Sequence, residues 1–420
     1  MQSFTFINHR VKAGVLQLTL VIGIIISLLC SSMILLVYYS KIAYLKQSID
    51  DHLLENVQSA IQYGMANRKQ LEFNQPITID LFSQEQDSVT IVRRPWGVFE
   101  ILSVKAWRGN HIQFATAVIT ALPDEKGKAV VYSPENNSPI YLVGNTTIEG
   151  NIFISERKLS TGFINGKGYA RKKLISGDVQ QSDREILPID TALIHYFRGF
   201  FDDTFSSIAT ENYPAAAFYS FETPQPYYYY SEQSIDLSDS LSGNVIIHSA
   251  VKVRVTANAI INNVILIAPH IDIDNGFQGS IQCISSSYIR VGSECTLRYP
   301  SSLVLMGKER DSTIVLGKNT TLEGLVVMPG HDKTIGSKGI FTIQNGAILH
   351  GSAYINGQAN IQGSIWGHLM ARNFVAIDGS TPYASHLLNA ELNSSKRSEF
   401  MPGSLLWANT DALVIAKWLK

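Results

Sequence analysis

The spacing of hydrophobic and polar positions changes character several times along this chain. From Val15 to Tyr39 the run VLQLTLVIGIIISLLCSSMILLVYY carries no charge. About 20 apolar residues suffice to cross a bilayer as a helix, so the run predicts a transmembrane helix over 15–39. Beyond it, Ile42, Leu45, Ile49, Leu53, Val57, Ala60 and Ile61 recur at three- and four-residue steps with charged residues between them. That period predicts an amphipathic continuation of the same helix over 40–70. From Leu71 the period falls to two: Pro76–Leu81, Ser88–Val92 and Gly97–Trp107 alternate, and His111–Ala121 has strand character. These segments predict a small β module over 71–128.

The remainder is repetitive. Ile140–Ile154 and Ile314–Met328 are near twins, each a strand, a Gly/Asn turn, Thr-Thr, an apolar residue, Glu-Gly and a second strand. Short apolar alternations also begin at Val253, Ile271 and Ile289, a step of about 18 residues, with wider-spaced starts at Ile314 and Phe341. Short strands at this step, with Gly and Asn at the corners, predict a parallel β-helix in which inward apolar residues stack coil on coil. The predicted coils cover 129–184 and 235–380. An intervening segment, 185–234, predicts a helix with Ile189, Leu193, Tyr196, Phe197 and Phe200 on one face and Pro188 before it. This insertion either docks on the coils and covers a side or an open end, or offers its aromatics, including Tyr227–Tyr230, to a partner or a glycan. A C-terminal segment, 381–420, is expected to cap the last coil, because an uncapped end is an open strand edge. The fold class is therefore mainly β, with an N-terminal transmembrane helix.

Composition adds limits. Net charge is −1 and the charged fraction 16%, which leaves no basic field for nucleic acid. Of three cysteines, Cys30 lies in the apolar run; Cys283 and Cys295 are either a disulfide or two buried thiols. The apolar run is too long for a cleaved secretory signal and ends in bulky residues, so the anchor is retained. A short basic tail, residues 1–14, before a long domain favours a cytoplasmic N-terminus and an exported bulk; the resemblances described next imply a bacterial inner membrane.

The basic leader, Ala13-Gly14, the apolar helix and its amphipathic continuation resemble the N-terminus of type IV pilins and type II secretion pseudopilins. The resemblance implies leader-peptidase cleavage between Gly14 and Val15, and pilin-like or secretion-system subunits as partners. Thr19 stands where that family usually has glutamate, as in some minor components. The coils resemble those of bactofilins, the bacterial polymer-forming scaffolds, which implies self-association. Chemistry is sparse. Asp272 and Asp274, one residue apart on one strand and so on the same face, are the candidate carboxylates for glycan hydrolysis, which requires one protonated and one ionised carboxyl, or for glycan binding. His248, His270 and His331-Asp332 lie in or beside the coils without a known catalytic pattern. The sequence has no P-loop, HExxH or GxSxG motif. The expectation is a non-enzymatic structural protein without a cofactor or metal, with a membrane-tethered glycan-binding or glycan-cleaving protein as the alternative.

Overall fold

A computed structural model describes residues 13–419, apart from 83–86, 123, 125, 136–137, 156–158, 202–209, 211, 215–216, 308–311, 331–337, 398–404 and 407–411. The fold is mainly β, with one long N-terminal helix, an antiparallel sheet, and a larger, mostly parallel sheet that closes on itself.

Helix α1 runs unbroken from Ala13 to Ala66, 54 residues. No proline interrupts it. Its apolar half packs on no other element among the described residues, and Leu16, Ile25, Leu28 and Leu36 are all exposed. One face of its other half is buried: Leu53, Val57, Ala60 and Ile61 are 0% exposed. They lie on the sheet formed by β1 (Pro76–Ile79), β2 (Ser88–Trp96), β3 (Phe99–Arg108) and β4 (His111–Ala121). Gly64 lets the two approach, since a Cβ there would meet Leu102 Cδ1 at 3.0 Å. A fifth strand, Leu413–Leu419, pairs antiparallel with β4. The C-terminal strand therefore completes this sheet, and the expectation that the segment caps the coils is corrected. Residues 116–121 of β4 supply the backbone edge with which it pairs.

In the closed sheet, Val253, Ile271, Ile289, Ile314 and Phe341 are register partners, and the ladder continues through Ala359 to Phe374. All seven side chains point into one buried core. At one corner Gly324, Gly351 and Gly367 stack in register with φ of +146°, +143° and +153°. A Cβ on Gly351 would lie 1.9 Å from the Gly324 carbonyl oxygen, so neither the dihedral nor the spacing admits a side chain.

The order of strands departs from chain order. Val131–Tyr132 pairs with Leu369–Met370, and Ile152–Ile154 then follows Val131–Tyr132, with Val179–Gln181 last. Residues 129–184, expected as the first coils, thus stack after the last ones. From there the chain must return along the whole sheet to Tyr227–Ser231 at the opposite end. The return path has an apolar track to follow. One outward ladder runs Tyr230, His248, Ile267, Ile284, Val304, Val327, Tyr354, Met370, Tyr132, Phe153. Helix α2 (Thr191–Gly199) and the residues around it lie over this track, with Ile186, Ile194, Phe197 and Phe200 buried there. Burying a side chain such as Phe197 is worth about 1.5–3 kcal/mol, enough to fix the crossing. The insertion covers a side of the sheet.

Candidate functional site

Three places carry the residues that sequence reasoning singles out. The first is the free half of α1. Gly14 and Val15 open the helix, and neither Gly14 nor Gly23 has a neighbouring atom within 4 Å of a built Cβ. Arg10 and Lys12 lie outside the described residues, and Lys41 is exposed on the helix. Thr19, Gly23, Ser27 and Ser31 recur every fourth residue. Thr19 donates to the Leu16 carbonyl at 2.9 Å and Ser31 to the Ser27 carbonyl at 2.8 Å. Those hydroxyls satisfy themselves within the helix and leave a narrow, small-residue stripe on an apolar cylinder.

The second is the Asp272–Asp274 pair. Asp272 projects from the outward row Asp236, Arg254, Asp272, Arg290, in direct register across four strands, and Asp274 lies just past the end of the same strand. Asp272 accepts from Arg290 Nε at 2.7 Å and ion-pairs with Lys252 Nζ at 2.6 Å; Asp274 receives both Nε and Nη2 of Arg254. Burial alone would raise the Asp272 carboxyl, but the hydrogen bonds from Lys252 and Arg290 outweigh it and hold it below the usual carboxylate range. A glycosidase acid needs the reverse shift. Alternating charges stacked at this spacing are an ion-pair ladder. His270, on the neighbouring row, is exposed; His248 is buried with Nδ1 2.6 Å from the Tyr228 hydroxyl; His331 and Asp332 lie outside the described residues.

The third is a cleft of about 420 Å³ between the return segment and the closed sheet, lined by Asp183, Leu187, Ile194, Arg198, Tyr354 and Asn356 among others. Two of its polar groups hold its walls. Tyr354 donates to the Leu187 carbonyl at 2.8 Å, and Asn356 donates to the Pro329 carbonyl at 2.9 Å while accepting from Arg372 at 2.6 Å. Cys283 and Cys295 are both free and buried, so no disulfide links them, and burial raises both thiols. Among the described residues no group of three or more His, Cys, Asp or Glu is arranged to hold a metal ion.

Sequence reasoning missed the contacts that hold α1, its sheet and the closed sheet together. Glu100, fully buried on β3, accepts from both Arg68 and Arg93, which ties the end of α1 to the sheet. Burial would raise this carboxyl, yet the two guanidinium partners hold it below the ordinary glutamate value. Gln282 on the closed sheet grips the β2–β3 turn: its amide donates to the Trp96 carbonyl at 3.1 Å and accepts from the Val98 amide at 3.0 Å. Arg94 fastens the 221–224 loop to the same sheet through the carbonyls of Phe221, Thr223 and Pro224. A tandem Arg93-Arg94 on a period-two strand, sending one guanidinium to each face, was the readable signal.

Compared with protein-family models, with curated proteins and with solved structures, this chain matches none.

Proposed function

We propose that this chain is a non-enzymatic, single-pass subunit of a bacterial envelope assembly, of the minor pilin-like or pseudopilin-like kind. Its N-terminus faces the cytoplasm and its β bodies lie in the periplasm, and the closed parallel sheet is a β-helix. The observation that carries this reading is the two-part α1: one half wholly exposed and apolar, the other built into a sheet. A helix continuous across that junction couples whatever the apolar half associates with to a rigid body outside the membrane. The small-residue stripe at Thr19, Gly23, Ser27 and Ser31 would let another apolar helix, from this chain or a related subunit, approach closely. The β-helix reading is supported by parallel ladders at about 18-residue offsets and by the glycine column at one corner. The ion-paired state of Asp272 and Asp274 favours structure over glycan chemistry.

Mass spectrometry of the mature N-terminus, from cells that hold the leader peptidase, tests the pilin-like element. The expected first residue is Val15. A chain that retains Met1 excludes pilin-type processing.

A further inference from the structure

The sheet of β1–β4 has one face for α1 and one for the closed sheet, but the second is only half used. On β3 and β4 the alternation sends Val104, Ala106, Ala117 and Ile119 toward α1, and Ile101 and Val118 toward the closed sheet. The latter face continues through the register pairs Ser103↔Thr116, Lys105↔Phe114 and Trp107↔Ile112. Thr116 still reaches the Phe221 carbonyl, but below it cover stops: Phe114 is 37% and Ile112 44% exposed. The Lys105 ammonium sits 5.8 Å from the Trp107 ring and 5.6 Å from the Phe114 ring, so the patch is aromatic, aliphatic and cationic at once.

The uncovered half lies at a defined end. His111, in the β3–β4 turn region, bonds Asp50 at 2.9 Å, whereas Glu100 at the other end of β3 bonds Arg68. Asp50 is on the side of α1 nearer the apolar run. Tyr44 and Leu45 are exposed between them, at 71% and 51%, so the apolar character of α1 extends past Lys41. At 1.5 Å per residue the patch is only about 8 Å along the axis from Leu45. The apolar run itself, about 37 Å long as a helix, exceeds a hydrocarbon core of about 30 Å, a mismatch that tilting relieves, and a tilt brings one flank of the sheet toward the headgroups.

We propose that Lys105, Trp107, Ile112 and Phe114 rest on the surface of the bilayer that α1 crosses, with the rings at headgroup depth and Lys105 drawn to anionic lipid. This rests on α1 being a membrane span, and it makes the sheet a second membrane contact that sets the tilt of the whole β body.

The test uses the full chain in vesicles of phosphatidylcholine and phosphatidylglycerol with brominated acyl chains. A fluorophore is placed in turn at native Cys30, at Ile112→Cys and at Gln70→Cys, the last two in a Cys30→Ser background. Gln70 is exposed in the short 3-10 turn that follows the far end of α1 and serves as the distant control. Quenching at 30 and at 112, the latter at least about twofold above that at 70, is expected for a group seated at the interface. Lys105→Glu should lower quenching at 112 only when phosphatidylglycerol is present. Quenching at 30 with none at 112 above the control overturns the proposal and leaves the span intact. No quenching at 30 removes the span and the proposal with it. A label at 112 shielded by raising the protein-to-lipid ratio, and not by lipid, makes the patch a protein interface and also overturns the proposal.

Discussion

The antiparallel sheet and the closed parallel sheet are stabilised by opposite strategies. The closed sheet repeats one solution: apolar residues in register from Val253 to Phe374, with small or left-handed residues at the corners, so that each strand needs only its two neighbours. The antiparallel sheet is small and depends on a few irreplaceable contacts, above all Glu100 between Arg68 and Arg93. Repetition spreads the cost of a substitution, whereas a single buried charge concentrates it. The difference teaches where the molecule is fragile: at the junctions among α1, its sheet and the closed sheet.

The largest effect should come from Glu100→Gln. It leaves two partly buried guanidinium groups without their counter-charge, which costs about 3–5 kcal/mol when one partner of a buried pair is removed. Urea unfolding followed by near-UV circular dichroism should show the α1 sheet melting before the closed sheet; simultaneous, unshifted melting of both would contradict the comparison.

Acid should separate the two bodies as well. His368 on the closed sheet is buried, and desolvation first, then the Arg397 charge, lower it from 6.5 to about 4. Its Nδ1 donates to the Ala129 carbonyl at 3.0 Å and its Nε2 lies 2.7 Å from Arg397, so the neutral form fits. The unfolded chain therefore binds the proton first. Stability from this contact is complete above pH 6.5 and is lost as pH falls toward 4, by roughly 3 kcal/mol. Glu100, also lowered, loses its share only below the ordinary glutamate value of 4.5. Acid titration should thus release the strand that enters at Ala129 before it releases α1, and hydrogen exchange by residue would report the order.

Gln282→Ala removes both hydrogen bonds to the β2–β3 turn and leaves the Val98 amide unpaired, a loss of about 1–3 kcal/mol. Calorimetry should then resolve two transitions; a single undivided peak would mean that the bodies are coupled elsewhere. Arg290→Ala should matter least. Its side chain is half exposed, and removing an exposed partner from the Asp272 ladder costs about 1 kcal/mol or less.

Much of this fold was legible in the sequence. The charge-free run and its amphipathic continuation, read over 15–70, correspond to α1 at Ala13–Ala66, and the starts at Val253, Ile271, Ile289, Ile314 and Phe341 are true register partners. What could not be read is which distant strands pair. Val131–Tyr132 joins Leu369–Met370 across more than half the chain, and no local period encodes that choice. One signal was available and unused. Val264-Ile265-Leu266-Ile267 is apolar on both faces, and a strand so built must be covered on both, here by the core and by the return segment. The aspartate pair was legible as a weak alternative site, whereas the cations beside it, about 18–20 residues away in sequence on adjacent strands, were not.

A reporter fused at Lys420 tests the central claim most directly, because every element of the proposed role requires the β bodies to lie across the membrane from the basic tail. Alkaline phosphatase at that position should be active, and green fluorescent protein exported by the same route should stay dark. A bright cytoplasmic green signal with inactive phosphatase would contradict the account.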